Sequence, residues 1–241
     1  MTQNAPNFAP PLAEGRKETI ASRVATQLRA EILSGALAPG DKLNLDRLRE
    51  RLDISLAPVR EAMTRLAADG LVEVEDQRGY RVAPISRANL DEVTRLRCEL
   101  EPLALAQAIT HATLDWEAAI LSALHRLSRT PRTPNAEAWE TAHTEFHLTL
   151  IGGCGMPLLI GFCTKLRLLN DRYRRLSFAL APESDIAGEH QAIAEAAVAR
   201  DAPKACDLLA RHITRTGTRL SDALAARLAD PSRTARNGEP A

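Results

Sequence analysis

Four of the six histidines occupy positions from which they could bind one metal ion. His143 and His147, in AHTEFH, are four residues apart, so a helix would carry both on one face. His190, in EHQAI, and His212, in ARHIT, lie in later segments with helical patterns. A bundle can build a metal site from inward imidazoles on three helices, and neutral imidazole suits zinc, nickel, cobalt or copper. Spacing alone also allows surface histidines, or core histidines whose polar atoms are hydrogen-bonded.

Arg97 is a second candidate because it interrupts an apolar stripe at a/d spacing, which predicts that it faces a bundle interior. A buried arginine needs an anionic partner, and Glu101 follows one helical turn later. Two interpretations are open: the pair is structural, or Arg97 clamps the carboxylate of an effector. The other members of the stripe are Leu90, Val93, Leu100, Ala104 and Gln107.

The segment 54–70, ISLAPVREAMTRLAADG, predicts an amphipathic helix that could contact DNA. Ser55 suits the N-cap, Pro58 suits the first turn and Gly70 ends the helix. One face carries the apolar residues Val59, Ala62, Met63, Leu66 and Ala67. The other face carries types that can reach phosphates and base edges, namely Arg60, Thr64 and Arg65.

The elements around this helix complete a winged helix-turn-helix. Periodicity predicts helices over about 17–33 and 45–52, joined through a type II turn at 38–41. After Gly70 the period changes to about two, which predicts strands at 71–74 and 80–82. These strands form a hairpin, called the wing, and its tip contains Asp76, Gln77, Arg78 and Gly79.

The rest of the chain reads as helical, so the expected fold class is mainly α: a winged helix-turn-helix followed by an all-helical bundle. The predicted helices span about 88–110, 114–129, 135–151, 157–180, 184–200 and 202–228. We expect a disordered arm at 1–16, the winged domain at 17–84, the bundle at 88–228 and a disordered tail at 229–241.

Composition limits the function classes. Of the 241 residues 45% are hydrophobic but only 3% aromatic, which favours helices with aliphatic cores. The formal net charge is zero, so a nucleic-acid-binding role needs basic residues placed locally. The sequence contains neither a membrane-length apolar run nor a signal-peptide core, and the expected location is the cytoplasm. We expect reduced thiols at Cys98, Cys154, Cys163 and Cys206, which form no C-x-x-C pair.

Residues 29–85 resemble the DNA-binding domain of the GntR family of bacterial transcription regulators. The shared pattern is R-x-x-I-L-S-G-x-L-x-P-G-D-x-L, then L-x-x-x-L-x-I-S-x-x-P-V-R-E-A-M-x-R-L-x-x-x-G-L-V, then R-G-Y-x-V. The resemblance implies a homodimer whose recognition helices enter successive major grooves of a pseudo-palindromic operator, with half-sites roughly 10 bp apart. It implies DNA contacts from Ser55, Arg60, Arg78 and Gly79, with Arg60 on guanine or phosphate and Arg78 in the minor groove.

This chain departs from the family pattern at the start of the recognition helix. The family usually has S-R-T-P-V-R, whereas here Leu56 and Ala57 follow Ser55. The lost arginine and hydroxyl remove two DNA contacts, and acidic residues are about as frequent as basic ones in the winged domain. We therefore expect weaker or differently specified DNA binding, with a salt dependence at the low end.

Residues 88–228 are similar to the FCD effector domain of the FadR-type branch. Metal-binding members carry D-x-x-F-H, then E-H, then a histidine in the last helix, which implies that His143, His147, His190 and His212 bind a divalent transition metal, with zinc or nickel favoured. His143 replaces the family aspartate, so four neutral ligands would leave the ion's charge uncompensated. That favours an anionic effector or a softer metal. The R-x-x-x-E pair that opens this domain corresponds to Arg97 and Glu101.

The expected function is a ligand-responsive dimeric regulator, more often a repressor in this family, that binds a small organic acid. One alternative keeps the DNA-binding role but replaces the metal with an acyl or other apolar ligand. Another is a metal-dependent helical enzyme, for which Glu145 and Glu189 are the evident bases. His111 and His125 lack partners at a matching spacing and are predicted to lie on the surface.

Overall fold

The computed structural model describes residues 18–76, 78–133, 137–177 and 186–229. These ranges contain nine helices and one three-stranded sheet: α1 Ile20–Ser34, β1 Lys42–Leu43, α2 Leu45–Leu52, α3 Leu56–Ala68, β2 Val72–Glu75, β3 Gly79–Val82, α4 Arg87–Thr110, α5 Leu114–Arg129, α6 Glu137–Gly152, α7 Pro157–Ser177, α8 Ile186–Val198 and α9 Ala202–Ala229. The mainly α fold class, with an N-terminal winged unit and a C-terminal helical unit, is confirmed.

Local sequence accounts for the helix ends of the winged unit. Thr19 caps α1 by accepting a hydrogen bond from the Ser22 amide at 3.1 Å, and α1 ends at Gly35 in the left-handed conformation. The predicted type II turn is present, since the Asp41 amide donates to the Ala38 carbonyl and Gly40 has a φ of 88°. Ile20, which fits the apolar stripe of α1, is nonetheless exposed.

The wing is a twisted antiparallel pair with a third strand added. The strand order is β1-β3-β2, with Val72 opposite Val82 and Val74 opposite Tyr80. β1, which pairs with β3, contains only two residues, too few for a periodic signal in the sequence. The core of this unit consists of Val24, Ala25, Leu28, Ile32, Leu43, Leu48, Val59, Ala62, Met63, Leu66, Leu71, Val72 and Val82.

The helical unit is built around α4, which packs along α9 and α7. The crossing of α4 and α9 is very close, because a Cβ atom added at Gly217 would lie 2.4 Å from Cγ2 of Thr94. A large apolar core joins all six helices of this unit. It includes Ala104, Leu105, Trp116, Ile120, Phe146, Leu150, Leu159, Ile193, Leu209 and Ile213.

The helix bounds agree with the periodicity to within about three residues. The predicted arm 1–16, Gln77, the segment 178–185 and the tail beyond Ala229 lie outside the described residues. All four cysteines are free thiols, with Cys154 and Cys163 buried and Cys98 and Cys206 half-buried. Among the described helices, none has the length and apolar character needed to cross a membrane.

Candidate metal centre and DNA-binding surface

The four predicted histidines meet in the interior of the helical unit. α6 contributes His143 and His147, α8 contributes His190 and α9 contributes His212. All four are buried, and one ring nitrogen from each lies within 4.8 Å of those from the others. Nε2 of His147 and Nε2 of His190 lie 3.3 Å apart. Three helices therefore direct four imidazoles toward one point.

A carboxylate orients one of these rings from behind. Nδ1 of His212 lies 2.6 Å from Oε2 of Glu189, so Nδ1 carries the proton and the lone pair is left on Nε2. Arg215 pairs with the other oxygen of Glu189. A carboxylate behind an imidazole fixes the tautomer and raises the basicity of the ring, the arrangement that metal-ligating histidines almost always show.

Burial keeps the cluster neutral. Desolvation lowers the pKa of every one of these histidines, and nearby arginines, chiefly Arg167 and Arg174, lower it further. The pKa of His212 falls to about 3. Near pH 7 all four rings are neutral imidazoles, as metal ligation requires.

Two buried nitrogens fit a metal or a ligand. Nδ1 of His143 and Nδ1 of His147 have no hydrogen-bond partner among the described residues. A buried polar atom left unpaired costs about 1–3 kcal/mol, so such atoms call for a partner. The donor set itself, four neutral imidazoles with a carboxylate behind His212, fits a divalent transition metal.

An aromatic ring covers one side of the cluster. Trp139 stacks on His143 with ring centroids 4.7 Å apart and an interplanar angle of 17°. The guanidinium carbons of Arg132 and Arg174 each lie 5.2 Å from the centroid of Trp139. This stack fixes the plane of the His143 ring.

Arg97 faces the interior, where Glu101 neutralises it. Nε of Arg97 donates to Oε1 of Glu101 at 2.6 Å, and Nη1 of Arg167 lies 3.3 Å from Oε2 of the same carboxylate. All three side chains are buried. Burial alone would raise the pKa of Glu101, but the two arginines outweigh it and lower the pKa, so the carboxylate is charged.

A second buried ionic group lies on α7 and α6. Nη2 of Arg174 donates to Oδ1 of Asp171 at 2.7 Å, and Nη1 of Arg174 pairs with Glu140. Burial raises the pKa of Glu140, whereas Arg174 and Arg167 overcome burial and lower the pKa of Asp171. Oδ1 of Asn170, on the same helix, is buried and unpaired within the described residues.

The predicted DNA-binding residues lie on the exposed side of α3 and at the wing. Ser55 occupies the N-cap of α3, yet no described backbone amide donates to its hydroxyl. Arg60 is exposed, and the Thr64 hydroxyl donates to the Arg60 carbonyl at 3.1 Å. Arg65 differs, because its guanidinium contacts Glu61 at 2.5 Å and Ser22 at 2.8 Å. These two contacts hold the Arg65 guanidinium against the protein surface.

The wing tip is exposed and unobstructed. Arg78 is exposed, and Gly79 has a φ of 93° with open space where a side chain would lie. Only glycine adopts this conformation without strain. Arg81 points back to Glu75 at 2.7 Å, which leaves Arg78 as the outward-facing cation of the two.

The sequence matches the gntR family of bacterial regulatory proteins over residues 20–82 and the FCD domain over residues 92–215. It is 38% identical over 194 residues to BphR, an uncharacterised HTH-type transcriptional regulator of Paraburkholderia xenovorans (strain LB400). That match covers 78% of this chain and 79% of BphR. The chain belongs to the GntR family.

A second GntR-family relative is the HTH-type transcriptional repressor GlaR of Escherichia coli (strain K12), 31% identical over 195 residues, or 77% of this chain and 89% of GlaR. In fold, the chain is similar to E. coli McbR/YncC, with a TM-score of 0.71, 24% identity and coverage of 85% and 98%. This GntR-family protein is a DNA-binding transcriptional regulator with an effector-binding FCD domain. The matched domains and relatives are regulators, not enzymes.

Sequence reasoning for this GntR-family protein missed the polar face of α7. Arg167, Asn170, Asp171 and Arg174 recur at i, i+3, i+4 and i+7, and all four are buried. The spacing was visible in RLLNDRYRR, but such a face is ordinarily solvated. His111 and His125, predicted to lie on the surface, are exposed.

Proposed function

We propose that this regulator binds a divalent transition metal, zinc or nickel, at His143, His147, His190 and His212, and that a small carboxylate effector binds beside it to change operator affinity. The observation that carries the proposal is the convergence of four buried, neutral imidazoles, one of them oriented by Glu189. When bound, the ion would supply a Lewis-acidic centre for an anion.

The charges around the cluster support an anionic effector. The buried cations Arg97, Arg167 and Arg174 balance at most three buried carboxylates, and burial raises the pKa of one of these, Glu140. Because all four proposed ligands are neutral, the charge of a divalent ion stays uncompensated by the protein. A carboxylate ligand would supply the missing negative charge.

We include Arg97 among the residues of the proposed effector site. Its Nε is taken by Glu101, so the structural ion pair exists. However, Glu101 is shared between two guanidinium groups, from Arg97 and Arg167, and Asp171 is a second anion that acts on both. A carboxylate effector would compete with these two resident anions for Arg97.

The regulator would act as a homodimer on a pseudo-palindromic operator, with α3 in the major groove and the wing over the minor groove. Exposed apolar side chains on the helical unit are consistent with self-association: Leu158 is 82% and Phe162 60% exposed on α7. Leu96 and Leu103 are exposed on the neighbouring α4. Exposed apolar patches of this kind mark association surfaces.

On DNA, Ser55, Arg60, Arg78 and Gly79 would make the contacts, with Thr64 near them. The departure at Leu56 and Ala57 would keep the salt dependence small. One matched relative, GlaR, is named a repressor, and we propose the same sign of regulation here. Such a protein would work in the cytoplasm. The proposed domain limits remain 17–84 and 88–228.

One observation favours a metal-free alternative, in which the helical unit binds an acyl or other apolar ligand beside the histidines. Nε2 of His147 and Nε2 of His190 are close enough, at 3.3 Å, to share a proton directly. In that case the histidines would line the pocket as hydrogen-bonded polar groups.

The metal content of the protein distinguishes the metal site from the metal-free pocket. Untagged protein purified without chelator should contain close to one transition-metal ion per chain by mass spectrometry, and the double variant His147→Ala, His190→Ala should contain none. The matched control, His111→Ala with His125→Ala, changes two exposed histidines and should retain the metal. No metal in the wild type, even after incubation with zinc or nickel, would favour the metal-free pocket.

A further inference from the structure

α7 connects the histidine site to the winged unit through two opposite faces. One face carries Arg167, Asn170, Asp171 and Arg174, which lie among the buried ionic groups next to the cluster. The other face, displaced by two residues, carries Leu169, Arg172, Tyr173 and Leu176. Both sets follow the i, i+3, i+4, i+7 spacing, so they lie on opposite sides of one continuous helix.

The second face makes a close polar contact with the segment that joins the two units. The Tyr173 hydroxyl accepts a hydrogen bond from the Ser86 amide at 3.2 Å and lies 2.9 Å from Oδ1 of Asn89, to which it can donate. Nη2 of Arg172 donates to the carbonyl of Ala83. Both side chains are buried. Ser86 is also the N-cap of α4, so Tyr173 holds the point where the effector domain begins.

The same face packs against the ends of two helices of the winged unit. A Cβ added at Gly35, the C-cap of α1, would lie 3.2 Å from Leu176, and one added at Gly70, after α3, would lie 3.4 Å from Leu169. Leu168 and Leu169 join the apolar core of the winged unit. The winged unit therefore rests on α7 at the ends of both α1 and the recognition helix.

From this geometry we infer that α7 couples the two sites: Arg172 and Tyr173 are positioning residues that make the placement of the winged unit depend on occupancy of the histidine site. This inference rests on the proposed function, because it needs a ligand in that site. A cation held by the histidines repels Arg167 and Arg174, which already act on these rings electrostatically, and so displaces a packed helix. Packed helices respond by shifting as units. The recognition helix would then move relative to its counterpart in a dimer.

The test uses Zn²⁺ or Ni²⁺ alone as the probe and hydrogen exchange of the full chain as the readout. In the wild type, metal should slow amide exchange in residues 83–89 and at the end of α1, far from the histidines in sequence. The double variant Arg172→Met, Tyr173→Phe removes the polar contacts but keeps the bulk of both side chains. It should bind metal with the same Kd and lose the metal-dependent change in those two segments.

The matched control is Arg175→Met, on the same helix, which breaks the ion pair with Glu137 and leaves the winged unit untouched. It should keep the wild-type exchange response. Tyr173→Phe alone removes only one oxygen, so it can be used if the double variant misfolds. It should reduce the exchange response in part.

Four results would overturn the inference. A response that persists in the double variant would place the coupling elsewhere, and so would an equal loss in Arg175→Met. A wild type that binds metal without any change at residues 83–89 would show that metal occupancy does not bias the winged unit. If the wild type binds no metal, its measured metal content shows this independently of the exchange data. That result would remove the proposed ligand and with it the inference.

Discussion

Glu189 lies directly behind His212, with Oε2 and Nδ1 2.6 Å apart in the interior of the helical unit. The histidine presents its other nitrogen to the cluster formed by α6, α8 and α9. A carboxylate in this position sets the tautomer of the ring and strengthens it as a ligand, although it does not itself reach the cluster centre.

Glu189→Gln should therefore weaken metal binding without abolishing it. The amide oxygen can still accept from Nδ1, but the negative charge that raises the basicity of the ring is lost. Loss of such a partner typically lowers metal affinity about 10–100-fold, and we expect the lower end of that range. Competition with a chelating dye measures the affinity. Glu195→Gln, an exposed position on the same helix, is the control, and equal losses in the two variants would contradict the role of Glu189.

Acidification should destabilise the metal-free protein. The four buried histidines have folded-state pKa values below the usual 6.5, and that of His212 is about 3. Below pH 6.5 the unfolded chain thus binds more protons than the folded one, so the free energy of unfolding falls as the pH falls toward about 3. Each such histidine contributes up to ~1.4 kcal/mol per pH unit well below 6.5.

Urea unfolding between pH 7.5 and 5 checks this prediction, and tryptophan fluorescence reports the helical unit, which contains both Trp116 and Trp139. His212→Asn should flatten the dependence, because one buried proton acceptor is gone. His125→Asn, at an exposed position, should leave it unchanged. A slope that is the same in the wild type and in the His212 variant would argue against burial of this ring.

Glu101→Gln should strongly destabilise the helical unit. The substitution keeps the shape but leaves Arg97 and Arg167 buried without their shared anion. Breaking a buried ion pair from one side costs about 3–5 kcal/mol. The shift in urea midpoint measures this cost, with Glu99→Gln as the exposed control on α4. A shift as small as that of the control would mean that water reaches the pair.

On the DNA side, Arg60→Ala should cost roughly 1–3 kcal/mol of binding free energy to a selected operator fragment, because Arg60 is exposed on the recognition helix. Arg65→Ala should cost less, since Glu61 and Ser22 already hold that guanidinium. Gel-shift titrations at one salt concentration compare them. A larger loss for Arg65 would mean that its ion pair opens on DNA and that our docking is wrong.

His143→Asp restores the carboxylate that the family pattern has at this position, and it tests the charge argument. The protein should still bind metal, while its affinity for a carboxylate probe such as succinate in the presence of metal should fall several-fold, because part of the ion's charge is already balanced. Calorimetry measures both steps. His125→Asp adds the same charge at an exposed position, and a similar loss there would indicate a nonspecific effect.

Sequence patterns predicted the elements well because each has a local cause. The turn at Pro39-Gly40 and the helix end at Gly70 depend on a few neighbouring residues. Periodicity placed Arg97 in the interior, and the resemblance to metal-binding FCD domains implied the common site of the four histidines. The two-residue β1 was missed because it exists only through its pairing with β3.

What could not be predicted depends on contacts between distant residues. The arginines of α7 look like a solvated helix face until α4 and α6 supply Glu101, Glu140 and the cluster around them. Likewise, nothing local shows that Arg65 is held by Ser22, which lies 43 residues away. Partners at this distance follow from the packing of the helices and not from any single segment.

The division of α7 into two faces has a consequence for how such a regulator can diversify. Residues 167, 170, 171 and 174 face the site, while residues 169, 172, 173 and 176 hold the winged unit. Because the two sets share no residue, substitutions can accumulate in one set while the other set stays unchanged. Related regulators could therefore change the effector that they bind and keep the same placement of the winged unit on the helical unit.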